Sequence, residues 1–264
     1  MLRKLFKYEI KATARILLPL YLVLLAFAFI NRLLISPDEM TTPATISMML
    51  YILILVGTMV MTFIVMIQRF YKNLLSDEGY LMFTLPTKPW NHIVTKLLVS
   101  IIWTAVSGLV ALTSVWIIAM DQFPLSKVIE SLTEIWTAAY EAFGSSLLLS
   151  VCQLILAFII VLSSAILMIY AAIAMGHLAN KHKLMTSIGS YILLSALSEI
   201  VIVMVGERYY SNVMINYNTM LFAAPEEFRL VHSFMWLVII LFGVLSLGYY
   251  SITNIILSKR LNLE

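Results

Sequence analysis

Cysteine, proline, glycine and charge are all scarce in this 264-residue chain. A lone Cys152 excludes an intrachain disulfide framework and any cysteine-based zinc site. With seven prolines and nine glycines scattered along the chain there is no Pro/Gly/Ser linker. No repeat of 20 to 50 residues is present either, and one membrane domain over residues 1–264 is expected. Charged residues make up 12%, and the net charge of +3 is too small and dispersed for a nucleic-acid surface. None of the nine glycines is followed by lysine, so the chain lacks the Gly-Lys-Ser/Thr turn that cradles nucleotide phosphates. The four histidines, His92, His177, His182 and His232, include no i, i+4 pair with an intervening glutamate, and no metal is expected. The chain is not expected to be an enzyme by itself.

What is abundant is apolar sequence: 62% hydrophobic residues and a mean hydropathy of +0.97, against roughly 45–50% apolar usage in soluble domains. The expected class is an all-α integral membrane protein. Stretches of about 20 apolar residues fall at Ile16–Leu34, Met48–Ile67, Ile93–Met120, Gly144–Ala174, Met185–Val205 and Phe234–Leu257. Six spans place both termini on one side. Of the 17 Lys and Arg, only Arg32, Lys127, Arg208 and Arg229 fall on the other side, so the termini are expected to be cytoplasmic.

The first 15 residues place Leu2, Leu5, Phe6, Ile10 and Thr13 at helical spacing, with Arg3, Lys7, Lys11 and Arg15 on another face. This predicts an amphipathic helix in the cytoplasmic interface, or a basic flank of span one whose side chains snorkel. Ala26-Phe27-Ala28 has the small-x-small form of a signal-peptide cleavage site, but the basic region before it is too long. On the other side, Asp121 to Glu141 reads as a small amphipathic outer helix. Glu207 to Ser233 reads as an interfacial stretch that dips back toward lipid. Within it, Glu226-Glu227-Phe228-Arg229 with His232 is loosely similar to the paired-glutamate segment of intramembrane metalloproteases. One residue rather than three separates the pair from its arginine, and a solvated loop is the better reading.

The segment from Gln68 to His92 differs from every other loop. A short helix is expected from about Lys72 to Phe83. Its Leu74, Leu75, Tyr80, Leu81 and Phe83 would anchor in the membrane domain, and Ser76, Asp77, Glu78 and Gly79 would form a polar patch. Leu85-Pro86 ends that helix, because proline has no N–H and restricts the residue before it. Lys88, Pro89 and Trp90 mark the interface where span three begins.

In this order of features the chain resembles the permease subunits of ABC-2 type transporters. The resemblance rests on a basic amphipathic start, six spans, and the Asp77-Glu78-Gly79 segment running into Leu85-Pro86, Lys88 and Trp90. It covers the whole chain in topology and about 25 residues in motif. It implies that Ser76, Asp77, Glu78, Gly79, Tyr80, Leu81 and Phe83 form the coupling helix that docks on a separate ATPase. It also implies two copies of that ATPase, carrying ATP and Mg, a second and identical permease, and a place in the bacterial plasma membrane. Short outer loops make the chain most similar to Gram-positive exporters of amphipathic or toxic peptides, such as the phenol-soluble modulin exporters. The implied function is ATP-driven export of an amphipathic or hydrophobic peptide, with no nucleic-acid partner. A non-transporting membrane sensor or assembly protein, using the same loop to bind a cytoplasmic partner, stays open.

Small and hydroxylated residues form stripes in the spans: Ser100, Thr104, Ser107, Ala111 and Ser114 in the third, Ser146, Ser150, Gln153, Ala157 and Ser164 in the fourth, and Ser187, Tyr191, Ser195 and Ser198 in the fifth. Such stripes serve close helix packing or line a pathway. Candidate pathway residues are Thr104, Ser107, Gln153, Ser195 and Glu199. An acid in a span is costly and faces an interior, a partner or water, and Arg32 is one candidate partner for Glu199. The 16 methionines, Met48, Met49, Met59, Met61 and Met66 among them, fill the core or offer soft walls to apolar cargo.

Overall fold

The structure is a computed structural model and describes residues 2–35, 41–75, 88–179, 182–219 and 227–259. Among them there is no strand. Helices run over Leu2–Leu34 (α1), Thr42–Leu75 (α2), Pro89–Ala119 (α3), Leu125–Phe143 (α4), Leu147–Gly176 (α5), Lys183–Thr219 (α6) and Glu227–Lys259 (α7). A single 3₁₀ turn, Gly144–Ser146, joins α4 to α5, and Gly144 takes the left-handed φ of 49° that a residue with a Cβ resists. All of these helices except α4 are long and apolar enough to cross a membrane. At 1.5 Å per residue the 33 residues of α1 reach about 50 Å, well beyond a bilayer's hydrocarbon.

The helices are longer than the apolar runs because nothing in the flanking sequence stops them. The basic N-terminal segment does not break from span one but forms its first turns, with Pro19 accommodated inside α1. Phe6 and Ile10 pack against a core of Leu17, Tyr21, Val65, Met66, Val99 and Trp103 rather than facing lipid. Lys72 to Leu75, expected to open a separate helix, is the last turn of α2. Glu207 to Thr219 contains neither glycine nor proline and continues α6 instead of forming a loop. Only part of the interfacial stretch expected over Glu207 to Ser233 can be compared, since residues 220–226 lie outside the described residues.

The chain divides into two compact units, one drawn from residues 1–70 and 94–138, the other from 71–93 and 139–264. In the first, α1, α2 and α3 share two apolar clusters. The second of these is built on Leu24, Ala28 and Tyr51, with Phe27, Met48, Ile54, Leu55 and Val110 packed around it. In the second unit α5 is the central element and packs on both α6 and α7. Its closing run, Tyr170 to Ala174, is buried, and the α5–α6 crossing is tight enough that Gly176 meets Ser187 directly.

Candidate functional site

Lipid offers helices no hydrophobic reason to associate, so buried polar contacts carry much of the specificity. In the first unit they form a continuous seam. The buried face of α1 runs Glu9, Thr13, Leu17, Tyr21, Leu24, Ala28 and Asn31, at spacings of three and four. Near its start, Lys96 Nζ of α3 donates to Glu9 Oε1 at 3.1 Å, with the side chains only 5% and 11% exposed. Thr13 Oγ1 donates to the Glu9 carbonyl one turn on.

Further along, Tyr21 Oη and Ser107 Oγ are 2.6 Å apart, and Ser107 Oγ is also 2.9 Å from Thr62 Oγ1 of α2, so one hydroxyl cluster joins three helices. Tyr51 Oη and Ser114 Oγ repeat the device at 2.8 Å between α2 and α3. Asn31 Nδ2 donates to the Ser47 carbonyl at 3.2 Å, while Asn31 Oδ1 and Ser47 Oγ are buried without a hydrogen-bond partner. At the end of α1, Arg32 binds Asp121 at 3.0 Å in a part-exposed ion pair.

The second unit has its own polar contacts. His232 Nδ1 of α7 donates to Gln153 Oε1 of α5 at 2.5 Å, and Gln153 is 2% exposed. Tyr209 of α6 reaches Ser233 Oγ at 2.7 Å and donates to the Leu230 carbonyl at 3.2 Å. At the other end of α5, His177 Nδ1 donates to the Ile173 carbonyl at 3.0 Å. Its ring meets Tyr71 edge-on with centroids 5.2 Å apart. Burial holds the His177 pKa below the ordinary value; the Ile173 hydrogen bond opposes this, and the positive charge of Lys183 adds to the depression. The other nitrogen, Nε2, is buried without a hydrogen-bond partner, so protonation there would place a proton where nothing accepts it.

The residues singled out from sequence fall into three groups. Ser76, Asp77, Glu78, Gly79, Tyr80, Leu81 and Phe83 lie outside the described residues, as do Leu85 and Pro86. Of the Glu226 to Arg229 segment only the α7 backbone from Glu227 on is described. Ser107 is buried with its hydroxyl held by Tyr21 and Thr62, and Gln153 is buried against His232. Thr104 is half-buried in the first unit, whereas Ser195 and Glu199 lie on α6, Ser195 donating to its own helix at Ile192 and Glu199 exposed. Arg32, weighed as a partner for Glu199, is bound to Asp121. The Glu9–Lys96 pair escaped the sequence reading, which counted both residues only as charges on the cytoplasmic side. The clue was available: Glu9 is the one acid among five basic residues between Arg3 and Arg15 and shares the i, i+4 stripe of Thr13, Leu17 and Tyr21.

No grouping of His, Cys, Asp and Glu able to hold a metal ion occurs among the described residues. No protein-family model, curated protein or solved structure matches the chain.

Proposed function

We propose that this chain is the membrane-spanning permease subunit of an ABC-2 type exporter. Two copies work with two copies of a separate ATPase that binds ATP and Mg. They move an amphipathic or hydrophobic peptide out across the bacterial plasma membrane, and both termini of the chain are cytoplasmic. The observation that carries the reading is the sequence between α2 and α3: an acidic-glycine segment, a Leu-Pro stop and an interfacial Lys-Pro-Trp, set between two membrane-length helices. If ATP drives a chain that lacks a phosphate-binding turn, the ATP is bound by another polypeptide, and this segment is the one that would receive the push.

The first unit supports such a role by its internal bonding. Lys96 sits two turns into α3 and is clamped to Glu9 on α1, while Ser107 is held by both Tyr21 and Thr62. A push delivered at residues 76–83 would therefore move α1, α2 and α3 together as one packed element. Glu78→Arg, or Tyr80→Ala with Leu81→Ala, tests the reading. Peptide export driven by the partner ATPase should fall at least tenfold while insertion and expression stay normal. Export unchanged in both variants would remove the coupling role.

A further inference from the structure

The apolar face of α4 is bare. At 100° per residue, Leu125, Val128, Ile129, Leu132, Ile135, Trp136, Ala139, Tyr140 and Phe143 fall within an arc of roughly 140°. Leu132, Ile135 and Trp136 are 59%, 65% and 57% exposed, so among the described residues of its own unit nothing covers this face. All the charge, Lys127, Glu130, Glu134 and Glu141, collects at the opposite pole, and the flanks between carry Ser126, Ser131 and Thr133.

We infer that α4 lies in the membrane interface at the Arg32–Asp121 end of the first unit, with its apolar face in the acyl region of that leaflet and its acidic face in water. Three observations select lipid over a second copy of the chain. The apolar arc is far wider than the narrow seam of a paired helix, and the flanking positions that would carry registering charges hold neutral small residues. The chain also delivers α4 to interfacial depth. Asp121, paired with Arg32, stands at the end of α3 where charge first becomes tolerable, and α4 starts four residues later.

The turn between them is held short. Gln122 and Phe123 N–H both donate to the Ala119 carbonyl, and Trp116 Nε1 donates to the Phe123 carbonyl. Finally, Leu109, Leu112 and Val115 give α3, itself a membrane-length helix, an exposed apolar flank of the same chemistry as the α4 face. One lysine against three glutamates gives α4 a net charge of −2. Its hold on the membrane is therefore apolar area and the Trp136 and Tyr140 rings rather than attraction to anionic headgroups.

Spin labelling tests this. With Cys152→Ser as the background, single cysteines at Ile129, Leu132, Ile135, Glu130, Glu134 and Thr137 are labelled with a nitroxide in the full chain in phosphatidylcholine vesicles. Collision rates with oxygen and with a water-soluble nickel chelate are then compared. Oxygen should dominate at Ile129, Leu132 and Ile135 and nickel at Glu130, Glu134 and Thr137, the two profiles oscillating out of phase with a helical period. High nickel rates at every position would mean that α4 stands off in water. Low rates for both reagents at Ile129, Leu132 and Ile135 would mean that protein covers the face. Either result overturns the inference, and six exposed sites keep it testable if one variant fails to fold.

Discussion

Removing one member of the Glu9–Lys96 pair should destabilise the first unit severely, and removing both should not. At 3.1 Å and an effective dielectric constant of about 20, two unit charges attract by roughly 5 kcal/mol. Desolvation of both ions consumes most of that gain, so the pair contributes little net stability. A single truncation, however, leaves the other ion buried without this opposite charge, and breaking a buried pair in this way costs about 3–5 kcal/mol. Glu9→Gln takes the Glu9 carboxylate away from Lys96, which is 5% exposed, and Lys96→Met takes the ammonium away from Glu9. The double variant removes both charges and should lie within about 1–2 kcal/mol of the parent. Unfolding in mixed micelles by increasing SDS, followed through Trp103 in the adjoining core, measures all four corners of the cycle. A double variant whose loss equals the sum of the two single losses would refute the reasoning, because the residues would then not be acting as a pair.

Other contacts make separate predictions under the same assay. Gly176→Ala should cost about 1–3 kcal/mol or more by overpacking, since the new Cβ would stand 1.8 Å from Ser187 Oγ and 2.7 Å from Ser187 Cα. Adding Ser187→Ala should not restore stability, because the backbone conflict remains; full rescue would show that only the hydroxyl was in the way. Tyr21→Phe and Thr62→Val should each be mild alone, and each should couple to Ser107→Ala by about 0.6–1.7 kcal/mol, as expected for hydroxyl contacts between membrane helices. Strict additivity would mean that the cluster is incidental. His177 binds its proton less readily folded than unfolded, so the stability it contributes is complete above its ordinary pKa near 6.5 and is lost as the pH falls through its lowered folded value. The parent should therefore lose more thermal stability than His177→Gln between pH 8 and pH 5, and parallel pH profiles would contradict this.

The membrane class and the approximate positions of all six long helices could be read from hydropathy alone, because a run of about 20 apolar residues has few other uses. Where each helix stops could not, since lipid-facing and water-facing turns of one helix obey different composition rules. Glu207 to Thr219 looked like a loop for its polarity, yet polar residues outside the bilayer are ordinary helix surface, and nothing there breaks a helix. The serine stripe of α3 was visible as a stripe, but the partners that occupy it, Tyr21, Thr62 and Tyr51, come from other helices at separations that no local pattern reveals. The same holds for Glu9 and Lys96, which are 87 residues apart. The α4 helix was legible almost in full, because its nine apolar positions and four charges keep strict helical register. That its apolar face is left exposed among the described residues emerges only from the packing.

The central claim is that this chain converts ATP hydrolysis on another polypeptide into peptide export. The most direct test is to express the tagged chain with a candidate P-loop ATPase from the same cell, purify the assembly, reconstitute it in liposomes and measure ATP hydrolysis with and without amphipathic peptides. The account predicts a stable complex of two permeases and two ATPases whose hydrolysis rate rises with peptide and returns to the basal rate with Glu78→Arg. Failure of the ATPase to bind this chain in membranes where both are present would contradict it, and would leave the segment between α2 and α3 to a partner that does not hydrolyse ATP.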